Sequence, residues 1–372
     1  MLRIGITGQE GFVGKYLRNT LKLSLDEFSC VDYNISFFSD DLLLDKFVNQ
    51  CDVIVHLAAM NRHNDPEVIY NTNIDLVQKL ITSLERTKSK AHVLFSSSSQ
   101  EERDNPYGKS KKEGRLLLEK WALKNKGTIT GLIIPNVFGP FGHPYYNSVV
   151  STFSHQISHG EIPKIEVDVE LKLIFVGELV LEIINKAKEK KNESLYYVPH
   201  TSTAKVSEIL YLLKKYKEEY QDKGEIPTIN STFELNLFNT FRCYMDISTH
   251  FPVKFSQHTD PRGSFVEIIR LGVGGQVSFS TTVPGVTRGN HFHTRKIERF
   301  AVIKGKALIQ LRKIGTDEVL DFYLDGKEPA YVDMPIWYTH NIKNIGDEVL
   351  YTNFWINEFY DADDADTYFE EV

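Results

Sequence analysis

Tyr107 and Lys111 are the first residues along the chain whose types and spacing suit chemistry. They lie four positions apart at the start of a helical pattern, so both side chains point to one face of the helix. A tyrosine needs help to transfer a proton near neutral pH, because its ordinary pKa is about 10. A lysine cation one turn away favours the phenolate. The pair therefore predicts proton transfer to a carbonyl group.

A run of four serines, residues 96–99, ends the strand that precedes this helix. A serine hydroxyl there can hydrogen-bond the oxygen of a substrate. We predict this role for Ser98, with Ser97 as the second choice.

A glycine-rich loop follows the first apolar strand, with Gly8, Gly11 and Gly14 in the spacing GxxGxxG. The first glycine allows a tight turn, the second lets the backbone approach a pyrophosphate, and the third lets the next helix pack closely on the strand. The free N–H groups at the start of that helix would bind the phosphates. The loop predicts a dinucleotide cofactor, and Lys111 can bind its nicotinamide ribose.

Asp32 follows the second predicted strand, 24 positions after Gly8. A carboxylate there would hydrogen-bond the adenosine ribose hydroxyls and repel a 2′-phosphate, which favours NAD over NADP. The alternative interpretation is a polar residue that merely ends a strand.

A second group of residues, near the other end of the chain, has the composition of a metal site. Residues two apart in a strand face the same side, so His291 and His293 can both point into a barrel. Glu298 on the next strand can supply a carboxylate, and His340 on a later strand a third imidazole. Such a set suits Zn²⁺ or another divalent transition metal, with a position left for water or substrate. His293 has two open roles, metal ligand or catalytic base.

The elements that must position these residues change character along the chain. In the first half, continuous apolar strands alternate with helices, which predicts a parallel sheet covered on both faces. From about Phe251, short runs of alternating polarity between turns predict an all-β sandwich or barrel, and the acidic tail after Asn357 departs from that pattern. The predicted border lies near Cys243. Predicted strands cover residues 3–7, 28–31, 52–57, 92–96 and 128–134, and predicted helices 14–25, 42–49, 75–86 and 109–124.

Composition limits the classes of partner and compartment. The 372 residues suit two or three domains. A net charge of −7, with both signs spread along the chain, argues against a nucleic-acid surface. Three scattered cysteines fit a reducing compartment. The N-terminus runs directly into a strand rather than a signal peptide, and no apolar run reaches the roughly 20 residues that span a membrane. We expect a cytoplasmic protein with neither nucleic-acid nor membrane partners.

Residues 1–243 resemble an extended short-chain dehydrogenase/reductase that acts on nucleotide sugars. The resemblance implies that Ala58 lines the cofactor cleft, that Asn73 supports the central helix and that the Asn136 segment lies beside the sugar nucleotide. Asn147 and Ser148 are candidates for a nucleotide contact or a loop cap. The matching segments are Thr7–Gly14, His56–Ala59, Asn71–Asn73, Phe95–Ser98, Tyr107–Lys111 and Asn136–Pro140. The predicted cofactor-binding residues are Gly8, Gly11, Phe12, Val13, Gly14, Asp32, Ala58 and Lys111.

Residues 244–372 resemble the cupin superfamily, whose first motif matches here at every defined position. The second motif has Trp337 where a glycine is usual. The segments 260–267 and 288–292 also resemble the 3,5-epimerases of deoxysugar synthesis, which are cupins. That resemblance implies that Arg262 and Arg288 contact a diphosphate, the alternative being surface ion pairs. Tyr338 is the candidate for the acid of those epimerases.

The order of the two parts resembles the bifunctional capsular-polysaccharide enzymes that form UDP-2-acetamido-2,6-dideoxy-L-talose. This family implies an α/β Rossmann domain of the extended reductase type followed by an all-β cupin, or jelly-roll barrel, domain. It also implies C3 epimerisation of a UDP-sugar in the cupin, then C4 reduction with NADPH, and a homodimer through the cupin. Asp32 departs from an NADP preference, so NADH and NADPH both stay open. The alternatives are a reductase whose barrel only dimerises, and a sugar-nucleotide-binding regulator.

Overall fold

The computed structural model describes residues 1–261 and 263–372, so Arg262 lies outside the described residues. The chain divides into two compact units. The first comprises Met1–Phe138, Tyr146–Ser148 and Val169–Ala204, and the second comprises Gly139–Tyr145, Val149–Asp168 and Lys205–Val372. These units divide the chain differently from the border expected near residue 243 between a reductase and an epimerase domain, which stays a prediction.

The first unit is built on a six-stranded parallel sheet. Its strands are β1 (Leu2–Thr7), β2 (Phe28–Val31), β3 (Val53–His56), β4 (His92–Ser98), β5 (Thr128–Ile134) and β8 (Glu193–Tyr197). The strand order is β2-β1-β3-β4-β5-β8, so the chain crosses to the other side of β1 after β2. In such a Rossmann-like sheet, ligands bind outside the carboxyl ends of the strands at this switch point. The predicted parallel sheet is confirmed.

The helices of this unit are α1 (Phe12–Leu21), α2 (Asp41–Gln50), α3 (Pro66–Thr87), α4 (Pro106–Asn125) and α6 (Val176–Glu189). The carboxylate of Asp65 caps α3 and the amide of Asn105 caps α4, each followed by a proline at the first helical position. Apolar spacing alone misses such caps, so the predicted start of α3 at residue 75 was wrong by nine positions. A small sheet of β6 (Asn136–Phe138), β7 (Glu170–Phe175) and β9 (Ser202–Lys205) completes the unit.

The second unit combines helices with two antiparallel sheets. Its helices are α5 (Val149–Ser158), α7 (Val206–Tyr216), the π-helical segment Lys217–Asp222, α8 (Thr232–Arg242) and α9 (Ile247–His250). The strands are β10 (Val253–Lys254), β11 (Gln257–Asp260), β12 (Gly263–Val266), β13 (Gln276–Thr282), β14 (Thr287–Phe292), β15 (Glu298–Lys304), β16 (Lys306–Lys313), β17 (Val319–Asp325), β18 (Ala330–Met334), β19 (Tyr338–Asn344), β20 (Leu350–Ile356) and β21 (Tyr368–Phe369). One five-stranded sheet has the order β10-β18-β15-β20-β13, the other β17-β16-β19-β14-β21, and β11 and β12 form a hairpin.

Apolar side chains from both five-stranded sheets form one core. Val302 and Val332 of one sheet, and Ile309 and Ile342 of the other, are buried in it. The expected all-β character after about residue 251 is confirmed. The acidic tail nevertheless contains a short strand, β21, which pairs with β14. Among the described residues, no helix combines the length and hydropathy that a bilayer crossing requires.

Candidate active sites

The glycine loop after β1 is packed as tightly as its spacing predicts. Gly8 has a φ of +76°, and a Cβ there would lie 2.8 Å from the backbone nitrogen of Ala58. A Cβ on Gly14 would lie 2.3 Å from the carbonyl oxygen of Gly8, so α1 packs directly on the loop. Gly11, the N-cap of α1, would bring a Cβ only to 3.3 Å from the same oxygen. Gly8 and Gly14 are therefore structural requirements, whereas a Cβ on Gly11 would make a milder contact that a small shift of the loop relieves.

We expect Gly14→Ala to lower the free energy of unfolding by about 1–3 kcal/mol, because its methyl group must push backbone apart. The matched Gly11→Ala should cost less than about 1 kcal/mol, since it meets little and changes only a cap. Urea denaturation measures both. Gly11→Ala should instead weaken nicotinamide-cofactor binding. Equal losses of stability in the two variants would contradict this assignment.

Three adjacent strands bring the other predicted cofactor residues to the same edge of the sheet. Asp32 is exposed directly after β2, and Ala58 is buried shortly after β3. Phe12 and Val13 are the first residues of α1, where backbone N–H groups have no acceptor within the helix. This arrangement suits a dinucleotide whose pyrophosphate lies at the start of α1.

Tyr107 and Lys111 lie on the first turns of α4. The Lys111 Nζ donates a hydrogen bond of 2.8 Å to the carbonyl oxygen of Ser96 and lies 5.6 Å from the centroid of the Tyr107 ring. Burial lowers the pKa of Lys111 to about 7. Burial also raises the pKa of Tyr107 to about 12, with a smaller contribution from Tyr146. The phenol therefore keeps its proton at neutral pH. Tyr107 can then donate this proton to the oxygen of a carbonyl group that is being reduced.

The serine run separates into different environments. The hydroxyl of Ser97 is buried and donates to Glu101, whose carboxylate pairs with Arg115 at 2.8 Å on both oxygens. Ser98 is half-buried, and its Oγ accepts the backbone N–H of Gln100, so its hydroxyl can still donate. These contacts favour Ser98 over Ser97 as the group that meets substrate, and that role stays a prediction.

Asn73 connects the loop after β3 to the helix that carries Tyr107. Its side-chain amide exchanges two hydrogen bonds with the backbone of Met60 and donates a third to Ser110. Ser110 in turn donates to the carbonyl oxygen of Tyr107. The expected support of the central helix by Asn73 thus has a direct structural counterpart.

In the second unit, the four predicted metal ligands converge. Their ligand atoms all lie within 4.8 Å of one another. Residue pairing across β14 and β19 places His291 opposite His340, and Glu298 begins β15. The Oε2 atom of Glu298 lies 3.1 Å from Nε2 of His340, 3.2 Å from Nε2 of His293 and 3.9 Å from Nε2 of His291. Residues spread over 50 positions of the sequence therefore form one cluster.

Backbone carbonyls orient two of these imidazoles. The Nδ1 of His293 is hydrogen-bonded to the carbonyl oxygen of Asp366 at 2.5 Å, and that of His340 to the carbonyl oxygen of Tyr338 at 3.2 Å. With the proton on Nδ1, each Nε2 lone pair faces the cluster, which is the arrangement of metal-binding histidines. Burial and the neighbouring His340 lower the pKa of His291 to about 4. The cluster fits a divalent transition metal in donor type and tautomer.

The remaining predicted site residues have contacts of other kinds. Tyr338 packs its ring 6.3 Å from that of Phe141, and burial raises its pKa. Arg288 is exposed on β14, and the side chain of Asn136 donates to the carbonyl oxygen of Lys172. Residues 147 and 148 lie just before α5. The roles predicted for all of these stay predictions, and that of Arg262 falls outside the described residues.

Sequence reasoning missed two contributors. The buried pair of Glu101 and Arg115 spans 14 positions, and no local pattern signals it. Asp366 holds the loop beside His293 from a distance of 73 positions.

Comparison with known proteins finds two matching family models and a relative that covers nearly the whole chain. Residues 4–181 match the model of the NAD dependent epimerase/dehydratase family, and residues 258–368 match that of the polysaccharide biosynthesis C-terminal domain. The chain is 30% identical to UDP-2-acetamido-2,6-beta-L-arabino-hexul-4-ose reductase of Pseudomonas aeruginosa, over 99% of this chain and 98% of that protein.

Solved structures agree with this placement. The capsular polysaccharide assembling protein CapF from Staphylococcus aureus is 35% identical, with 100% of both chains covered and a TM-score of 0.63. A structure of CapF with the inhibitor 3-isopropenyl-tropolone is 33% identical, with 100% of both chains covered and a TM-score of 0.60. The chain therefore belongs to the NAD-dependent epimerase/reductase-type family of polysaccharide biosynthesis proteins that includes CapF and the Pseudomonas aeruginosa reductase.

Proposed function

We propose that this chain is a bifunctional nucleotide-sugar enzyme. Its C-terminal site inverts C3 of a UDP-2-acetamido-2,6-dideoxy-4-keto-hexose, and its N-terminal site then reduces the C4 ketone to give UDP-2-acetamido-2,6-dideoxy-L-talose. The observation that carries the proposal is the buried cluster of three histidines and Glu298, in a chain that also has the Tyr107 and Lys111 pair. The name of the Pseudomonas aeruginosa relative supports the choice of a UDP-linked 4-keto substrate.

For the first step, the ketone at C4 makes the neighbouring C3–H acidic. A base removes the C3 proton to give an enediolate, and reprotonation on the opposite face inverts C3. A divalent metal bound by His291, Glu298 and His340 would supply positive charge that stabilises the oxyanion. His293 either completes this ligand set or moves the proton. Its bond from Nδ1 to Asp366 turns Nε2 toward Glu298, which supports the ligand role.

For the second step, a bound nicotinamide would supply the hydride to C4. Tyr107 gives its phenolic proton to the C4 oxygen as the alcohol forms. Lys111 sits within reach of the same ring, where its charge stabilises the phenolate left behind. Ser98 would hydrogen-bond the C4 oxygen. Reduction removes the acidifying ketone, so it makes the reversible epimerisation effectively one-way.

Solvent exchange tests this proposal directly. The full chain, loaded with Zn²⁺, is incubated with UDP-2-acetamido-2,6-dideoxy-β-L-arabino-hex-4-ulose in deuterated water without any nicotinamide. We expect deuterium at C3 by NMR, followed by C4 reduction once NADH or NADPH is added. Reduction without C3 exchange would leave a reductase whose barrel serves only as a dimerisation module. The homodimer and the preference for NADH or NADPH stay predictions.

A further inference from the structure

The loop between β14 and β15 presents three successive backbone N–H groups to one carboxylate. The N–H groups of Thr294, Arg295 and Lys296 donate to the side chain of Asp366 at 3.0, 3.0 and 3.1 Å. The hydroxyl of Thr294 donates to the same carboxylate at 2.6 Å. Successive backbone N–H groups of this kind form an anion-binding concavity. Here the chain's own C-terminal tail fills it, with Asp366 only 5% exposed.

The same residue also holds an imidazole of the cluster. The backbone carbonyl of Asp366 is the 2.5 Å partner of Nδ1 of His293, whose Nε2 faces Glu298. Asp366 therefore fixes both the loop that follows His293 and the tautomer of His293 itself. A carboxylate and a carbonyl of one residue act on adjacent parts of the predicted metal site.

Contacts on the far side of Asp366 keep the tail in place. β21 pairs with β14, and the ring of Tyr368 stacks on that of Phe292 with centroids 5.4 Å apart. The backbone N–H of Glu370 donates to the carbonyl oxygen of Asn290 at 3.1 Å. Asp366 itself has a φ of +40°, a conformation that aspartate and asparagine tolerate better than most residues. The tail is thus anchored independently of the carboxylate.

We propose that the tail segment 365–370 positions His293 and the loop between β14 and β15 through Asp366. Asp366 is then a positioning residue for C3 epimerisation. This inference rests on the proposed function. It assigns to the acidic tail a role in metal affinity that is separate from C4 reduction.

The test is the Zn²⁺ dissociation constant of the full chain, measured by competition with a chromophoric chelator. Asp366→Asn keeps the backbone carbonyl and the tolerance of positive φ, but it removes the charge that the three N–H groups share. We expect Zn²⁺ binding about 10–100-fold weaker, as for other groups that orient ligands. The visible spectrum of the Co²⁺-loaded variant should shift, and C3 exchange should slow, while C4 reduction of a directly supplied C3-inverted 4-keto sugar stays within twofold of the unmodified chain.

Asp361→Asn is the matched control, because Asp361 is exposed and accepts a hydrogen bond from Asp363 within the tail. It should leave Zn²⁺ affinity within twofold. Thr294→Ala removes one hydrogen bond to the carboxylate and should weaken Zn²⁺ binding at least about threefold. Adding it to Asp366→Asn should cause no further loss, because both act through the same contact.

The outcomes separate the two proposals. Wild-type Zn²⁺ affinity in Asp366→Asn would overturn the positioning role and leave the proposed function intact. An unmodified chain that binds neither Zn²⁺ nor Co²⁺ would overturn the positioning role, and C3 exchange in deuterated water would then decide the proposed function by itself. If Asp366→Asn loses C4 reduction and helical circular dichroism together, it has failed to fold, and Thr294→Ala then decides: an unchanged affinity overturns the inference.

Discussion

Tyr107→Phe should slow C4 reduction by about 10²–10⁴-fold while C3 exchange continues at the unmodified rate. The substitution removes one hydroxyl, and a positioned proton donor contributes a factor of this size. Because burial raises the pKa of Tyr107 to about 12, its proton is held at neutral pH until the C4 oxygen gains negative charge. Cofactor oxidation at 340 nm, a wavelength at which reduced nicotinamide absorbs, measures reduction, and NMR in deuterated water measures exchange.

Tyr211→Phe is the control for this prediction, because it removes the same hydroxyl from a side chain that is 68% exposed on α7. It should reduce the ketone at the unmodified rate. If Tyr107→Phe abolished C3 exchange as well while remaining folded, the two reactions would share one site and the proposed division of labour would fail.

The sequence predicted those elements whose determinants are local. The largely apolar segments of β2 and β5 predicted the bounds of both strands to the residue. The alternation His291-Phe292-His293 predicted that two imidazoles share a face, and the structure brings both to Glu298. The alternation of strands and helices predicted a parallel sheet, but it did not predict the order of the strands within that sheet. Which strand neighbours which depends on crossovers that no local pattern encodes.

What the sequence could not predict depends on contacts between distant segments. The polar content of the tail suggested a departure from strand structure, yet Tyr368 and Phe369 pair with β14 because Phe292 offers a ring to pack on. The sequence already favoured Ser98 over Ser97, and the structure adds that Ser97 donates to Glu101, which pairs with the buried Arg115. The strand partner of the tail, by contrast, lies outside the window that periodicity can read.

His291→Ala should reduce Zn²⁺ binding and slow C3 exchange by at least about 10²-fold, while C4 reduction of a directly supplied C3-inverted 4-keto sugar persists. His291 is the better choice than His340, because its side chain is 23% exposed and its removal leaves a smaller buried cavity. His291 is a neutral imidazole, so its loss would act by weakening the binding of a metal cation beside Glu298, and the stabilisation of a developing oxyanion by such a cation is worth a factor of this size. Metal content after dialysis and deuterium incorporation at C3 give the two measurements.

His200→Ala is the matched control, since His200 is exposed in the first unit and should leave both quantities unchanged. Removing the metal from the unmodified chain with a chelator should reproduce the His291→Ala result, and added Zn²⁺ should restore exchange only in the unmodified chain. Undiminished exchange in metal-free protein would show that the histidine cluster inverts C3 by proton transfer alone. In that case an imidazole of the cluster would have to be the base, and His293 and His340 are the candidates, because a backbone carbonyl bonded to Nδ1 leaves each Nε2 facing the cluster without a proton.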